Sequence, residues 1–284
     1  MYKRQEYQTR IGNKVGLRLF GNLTYSKNKI VFRDEPAMQY AYQKSEGTRY
    51  GEFYGYIAEG YFQSEEEIKK SPRQMRELAP GDIKYKDLND DGVIDANDQC
   101  YLGKSWFPSW SYGMGFNINY HNFDLALFFQ GVSDVSIMAN GGSIDTGNGD
   151  WGASGVGIVP FTGMGLNPSN VITKALDRWT ADNPRADAWY PRMTANATTN
   201  DNNYVNSTHW LKDGSYLRLK QASLGYTLEN KKLMDKGIEY LYFYLSGQNL
   251  LTFSKFKLWD PELGSNGAKY PLSRMVTLGM RVSF

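Results

Sequence analysis

Val276-Thr277-Leu278-Gly279-Met280-Arg281-Val282-Ser283-Phe284 alternates without a break. Successive side chains of an extended chain point to opposite sides. Val276, Leu278, Met280, Val282 and Phe284 therefore share one face, and Thr277, Gly279, Arg281 and Ser283 share the other. The same period recurs upstream. Val15, Leu17, Leu19, Gly21, Leu23 and Tyr25 oppose Gly16, Arg18, Phe20, Asn22 and Thr24. Met114, Phe116, Ile118 and Tyr120 oppose Gly115, Asn117 and Asn119; after a His121-Asn122 turn, Phe123, Leu125, Leu127 and Phe129 oppose Asp124, Ala126, Phe128 and Gln130. Tyr240, Tyr242 and Tyr244 alternate with Leu241, Phe243 and Leu245. Tyr216–Leu228 alternates too, but its phase slips near Gln221, which predicts a bulge.

Six strands are thus predicted, at about 15–25, 112–120, 123–131, 216–228, 240–252 and 274–284. Most run to about ten residues, against a usual mode of about 5–6, and ten tilted residues cross a bilayer as β. Long connections (26–111, 132–215, 253–273) alternate with shorter ones (121–122, 229–239). That rhythm suits antiparallel up-and-down strands of a transmembrane barrel, with lipid outside, water inside and long extracellular loops. Six strands would place both chain ends on the short-turn side. They cannot close a barrel, because open edges in lipid leave backbone groups unpaired and closed single-chain barrels start at about eight strands. The expected fold is all-β, part of a larger outer-membrane β-barrel.

Composition excludes other classes. The chain has 284 residues, 41% hydrophobic and 22% charged, with a net charge of +2. A disordered chain or a nucleic-acid binder is not expected. One cysteine, Cys100, rules out an internal disulfide. Aromatic content is 15%, with 21 Tyr and 29 Gly. No apolar run reaches the length of a transmembrane helix. Met1-Tyr2-Lys3-Arg4-Gln5 opens polar sequence with no apolar signal region, so either the protein is cytoplasmic or further sequence lies upstream; the unclosed barrel pattern leads to the second expectation.

Phe284 closes a polar residue–Gly–hydrophobic pattern, Thr277, Gly279, Met280, Val282, Phe284, that resembles the insertion signal read by the outer-membrane insertion machinery. Val282 stands where an aromatic residue is often found. Further segments resemble the C-terminal third of the SusC/RagA family of TonB-dependent outer-membrane transporters of Bacteroidota. They are Tyr54-Gly55-Tyr56, Glu59-Gly60-Tyr61-Phe62, Pro80-Gly81-Asp82-Ile83, Asn89-Asp90-Asp91-Gly92, Arg178-Trp179-Thr180, Tyr190-Pro191-Arg192, Tyr216-Leu217-Arg218, Gly247-Gln248-Asn249 and Trp259-Asp260-Pro261-Glu262. The resemblance implies a barrel of about 22 strands with a plug domain that this sequence does not contain. It also implies drive by the TonB complex, a SusD-like surface lipoprotein partner, glycan or peptide uptake, and residence in the cell outer membrane of a Gram-negative bacterium. The rival reading is a secreted or surface β-sandwich that binds carbohydrate and carries a calcium loop.

The sharpest chemical motif is Asp87-Leu88-Asn89-Asp90-Asp91-Gly92-Val93-Ile94-Asp95-Ala96-Asn97-Asp98. Asp87, Asn89, Asp91, the Val93 carbonyl and Asp98 occupy EF-hand ligand positions, with Gly92 at the sharp turn. Asp98 replaces the usual Glu, and Asp reaches less far. Oxygen-only donors select Ca²⁺, here as a structural cofactor for an outer loop. The alternative is an ion-free loop of Asx turns.

No enzyme is expected. Gly103-Lys104-Ser105 ends like a phosphate loop, but Asp98 stands where its first glycine belongs. Two histidines, His121 and His209, leave little for a relay. The Gly-rich segment 140–166 and the Asn/Thr-rich segment 194–208 read as mobile outer loops. Trp106, Phe107, Trp110 and Trp151 read as an interfacial aromatic girdle rather than a sugar platform. Arg18, Arg218, Lys220 and Arg281 fall on or near the lumen phase.

Overall fold

The computed structural model describes residues 1–12, 14–140, 172–193, 201–267 and 269–284. Among these, thirteen strands follow in chain order. They are β1 Tyr2–Ile11, β2 Val15–Tyr25, β3 Glu52–Gly55, β4 Ala58–Tyr61, β5 Ile83–Tyr85, β6 Cys100–Ser105 and β7 Trp110–Tyr120. The rest are β8 Phe123–Ser133, β9 Ser136–Met138, β10 Leu211–Asp213, β11 Tyr216–Leu228, β12 Tyr240–Ser254 and β13 Met275–Ser283. Seven form one sheet in the order β1-β2-β7-β8-β11-β12-β13, and every pairing in it is antiparallel. β1 and β13 are its two edges, so the sheet is open.

The register explains what the sheet is for. One row across all seven strands reads Thr9, Leu17, Ile118, Leu125, Leu224, Leu245, Leu278. The adjacent row, on the opposite face, reads Gln8, Arg18, Asn117, Ala126, Ser223, Ser246, Thr277. One face is therefore hydrocarbon and the other polar or small. The apolar face is bare: Leu278 is 79% exposed, Val276 67% and Leu224 47%. A soluble protein does not leave so wide an apolar surface in water. Among the described residues no second sheet packs on the seven-stranded one, which argues against the β-sandwich reading.

The bulge lies where the phase slips. Against β8 the register of β11 shifts between Leu219 and Gln221, leaving Lys220 as the extra residue; against β12 the extra residue is on β12, where Asn249 and Leu250 stand opposite Lys220. Leu217 and Leu219 precede it, while Ala222, Leu224 and Tyr226 follow. The inserted residue reverses the parity, so both sets stay on the apolar face.

Three expectations need correction. The sheet has a seventh strand, β1. It mixes Lys3, Arg4, Gln5, Glu6, Gln8 and Arg10 with few apolar residues, so it carries no clean period; pairing with β2 along its whole length makes it a strand. Consequently the two chain ends do not share a side. The Met1 ammonium donates to the Tyr25 carbonyl (2.8 Å) at the long-connection end, whereas β13 finishes at the short-turn end, pairing Ser283 with Tyr240.

The third correction concerns the long connections, expected as extracellular loops with mobile stretches. They hold the buried core of the chain: Phe53, Tyr61, Ile83, Tyr85, Met138, Trp179, Tyr190 and Trp210. Three two-stranded sheets, β3–β6, β4–β5 and β9–β10, frame this cap. Within segment 194–208, Asn202, Asn203 and Ser207 are fully packed rather than mobile. Residues 194–200, and segment 140–166 beyond Asn140, lie outside the described residues.

Candidate functional site: a two-faced wall and its loop cap

The polar face of the wall is laced by charge and aromatic rings. Arg18 Nε donates to Glu6 Oε1 at 2.7 Å, and its guanidinium lies 5.3 Å from the Phe20 ring centre. The Tyr242 hydroxyl donates to Asp124 Oδ2 at 3.0 Å, with the Arg281 guanidinium 5.8 Å from the Tyr242 ring. Gly225 and Gly279 lie beneath Tyr242 and Tyr244, whose rings occupy the space a Cβ would need. Arg18 and Arg281 thus face the polar side as expected, while Lys220 is the bulge residue against β8.

Arg218 joins wall to loops. Its side chain is 2% exposed, and it pairs with Asp260 (2.5 Å) and Glu262 (3.2 Å). Asp260 also accepts from the Glu262 amide at 3.0 Å, capping the short turn Pro261–Leu263. The Trp259-Asp260-Pro261-Glu262 motif is therefore the clamp that folds the last long connection back onto β11.

A second joint ties distant stretches of the cap. Asp82 is 1% exposed and accepts from Arg192 Nη2 (2.9 Å), Asn203 Nδ2 (2.7 Å) and the Ala79 amide (2.9 Å). Asn203 Oδ1 accepts from the Ile83 amide at 2.8 Å, and the Tyr85 hydroxyl donates to the Asn202 carbonyl at 2.6 Å. Gly81 takes φ 93° beneath the Trp179 ring, where a side chain would collide. The Pro80-Gly81-Asp82, Arg178-Trp179 and Tyr190-Pro191-Arg192 segments converge on this one point. Asn202 and Asn203, their essential partners, carry no sequence signal that separates them from ordinary loop asparagines.

The Asp87–Asp98 loop is stitched by its own amides. Asp87 accepts from Asp90 N (2.7 Å) and Gly92 N (2.8 Å), Asn89 Oδ1 from Asp91 N (3.1 Å), and Asp91 Oδ1 from Val93 N (2.9 Å). Asp98 is buried and accepts from Leu88 N (2.7 Å) and Asp95 N (2.8 Å). Among the described residues, no group of three or more His, Cys, Asp or Glu side chains converges as a metal-holding set. Each carboxylate oxygen keeps a second lone pair beyond these bonds, so the donor chemistry still suits a hard cation.

The aromatic residues divide. Trp110 packs on Tyr25 at 4.5 Å between ring centres, at the loop end of the apolar face. Phe123 packs on Tyr226 at 4.7 Å at the other end. Ten residues of strand, tilted, separate the two belts, which matches an apolar band about 25 Å tall. Trp106 and Phe107 instead pack on Phe53 and Tyr50 at the surface of the cap, where both stay exposed, and Trp151 lies outside the described residues. Cys100 is buried, and burial followed by the nearby Glu52 pushes its thiol pKa up.

No family model matches the sequence. Two proteins of Formosa agariphila are similar: TonB-dependent receptor P26, 30% identical over 79% of the chain, and TonB-dependent receptor P3, 28% identical over 84%. The chain spans about a fifth of their length, 22% in each case. Among solved structures, the RagAB peptide importer in its open-open state matches 99% of the chain and 28% of its own, with a TM-score of 0.68 and 20% identity. Its closed-closed state matches with the same score and identity over 29% of that chain.

Proposed function

From the premise that the chain belongs to the TonB-dependent receptors and carries the wall fold of a RagAB-like importer, we propose that it supplies barrel wall and outer loops to an importer of oligomeric nutrients. The importer would work in the outer membrane of a Gram-negative bacterium, with a SusD-like lipoprotein over its loop cap. The carrying observation is the pair of adjacent rows across the seven-stranded sheet, one hydrocarbon and one polar. Such a wall suits lipid on one side and a wet passage on the other. Its open edges need further strands, because unpaired amides are costly in hydrocarbon. The wall and the joints described above are structural, so no catalytic role is proposed for them.

The test is membrane fractionation of the full-length receptor with its mobility on gels before and after boiling. A heat-modifiable outer-membrane species is expected. A detergent-free soluble monomer would overturn the reading. The lipoprotein partnership predicts co-purification in detergent, and loss of growth on the nutrient when either gene is deleted.

The ligand spacing of Asp87, Asn89, Asp91, Val93 and Asp98 supports Ca²⁺ as a structural staple of this cap. Calorimetric titration of the detergent-purified receptor should show Ca²⁺ heat that disappears in Asp87→Asn/Asp91→Asn. Absence of heat at millimolar ion would retire the idea.

A further inference from the structure

A cavity of about 820 Å³ opens in the cap above the wall, between β10, the turn Thr173–Leu176 and the segment after β12. Four lysines line it, Lys174, Lys212, Lys255 and Lys257, against one carboxylate, Asp213. Two indoles, Trp189 and Trp259, complete its wall.

The lysines are unevenly paired. Lys174 binds Asp177 at 2.7 Å, and Lys255 lies 3.7 Å from Asp213. Lys257 has no ion-pair partner among the described residues. Lys212 is held differently: its ammonium donates to the His209 carbonyl at 2.6 Å and lies 5.2 Å from the Trp189 ring centre. Among the described residues no carboxylate pairs with it, although a desolvated charge is costly without one. The ring is fixed in turn, since Trp189 packs edge-on to Trp210 at 5.5 Å. Trp259 is fixed too. Its Nε1 donates to the Gly264 carbonyl at 2.7 Å, and its ring lies against Gly267, where a Cβ would collide.

We propose that this cavity is an anion-selective subsite that holds an acidic oligosaccharide, its carboxylate or sulfate groups on Lys212 and Lys257 and its ring faces on the indoles. The assignment rests on the importer reading above and names the substrate class it would take. Rigid indole planes suit the C–H faces of sugar rings, whereas an acidic peptide would depend chiefly on backbone pairing. Excess positive charge in a recess with apolar walls concentrates anions before they dock.

Titration adds a signature. Burial, then repulsion from Lys174, lowers the Lys212 pKa to about 8. Lys174, Lys255, Lys257, Asp213, Asp177 and His209 are the other ionisable groups around it, and His209 stays neutral above about pH 3. An anion held by Lys212 therefore binds tightly at pH 7 and more weakly at pH 9.

The experiment is calorimetry on the full-length receptor in detergent. The probes are a galacturonate tetrasaccharide, its methyl ester, a sulfated chondroitin tetrasaccharide, a neutral xylan tetrasaccharide and tetraglutamate. At least one acidic sugar should bind, at least tenfold more tightly than the methyl ester or the xylan probe, and which one separates carboxylate from sulfate recognition. Lys257→Met, an exposed change that cannot disturb folding, should weaken it about tenfold. Lys212→Met should weaken it and also abolish the pH 7-to-9 loss. Equal binding of charged and neutral sugars, preference for tetraglutamate, or binding by none of the probes overturns the proposal. A correctly inserted receptor that imports only a neutral glycan would sink the subsite and leave the importer standing. Failure to insert would sink the importer.

Discussion

Two ionisable residues largely removed from water, one in the cap and one where the wall meets it, give measurable consequences. His209 is half-buried between Tyr61 and Trp210, with Nε2 3.2 Å from the Trp189 carbonyl. Burial, then the Lys212 ammonium, lowers its pKa to about 3 from 6.5. The unfolded imidazole takes its proton near 6.5 while the folded one refuses it, so the folded cap loses stability as pH falls from 6.5 toward 3. Limited proteolysis of the cap should accelerate over that window, and His209→Phe should flatten the response. Arg218 is the second case. Asp260→Asn leaves a buried guanidinium with Glu262 as its remaining carboxylate, a loss of order 3–5 kcal/mol for a fully buried pair and less here because Glu262 is partly exposed. Protease should then cut within 253–273 while the wall stays intact.

At the scale of the strand, parity matters more than the identity of any one side chain. Deleting Lys220 removes the residue that reverses the phase of β11. Either Leu217 and Leu219 or Ala222, Leu224 and Tyr226 would then turn toward water. The deletion should abolish the heat-modifiable folded species, whereas Lys220→Ala should leave it unchanged, because the bulge needs a residue and not a lysine. Equal behaviour of the two variants would show that the bulge has no role in register. The wall strands were legible because each contrasts hydrocarbon with polar residues at period two. β1 was not: its residues are polar on both faces, and pairing with β2 decides its conformation.

For the whole molecule the question is which solvent meets each face. Leu224→Arg places a charge at the middle of the apolar row and should cost about 2–4 kcal/mol in a bilayer, while the neighbouring Ser223→Arg, on the polar row, should cost little. Yield of the heat-modifiable form measures both. Loss from Ser223→Arg alone would reverse the faces. The family segments show a similar division of labour at this scale. Gly81-Asp82, Trp179 and Arg192 stand far apart in sequence and meet in one joint, while Trp259-Asp260-Pro261-Glu262 closes on Arg218. These segments were recognisable as patterns, yet their role as fasteners of the cap emerged only when their partners were in place, Asn202 and Asn203 for the first joint and Arg218 for the second.

What the sequence determined by itself is the wall: alternation fixes which side chains share a face, and that local geometry needs no knowledge of neighbouring strands. The bulge at Lys220 and the oxygen-rich spacing of Asp87–Asp98 are local in the same sense. The tertiary structure alone decided the seventh strand, the packed core inside the long connections and the recess that gathers Lys174, Lys212, Lys255 and Lys257. Each of these depends on contacts between residues tens of positions apart, where no period in the chain records who will meet whom.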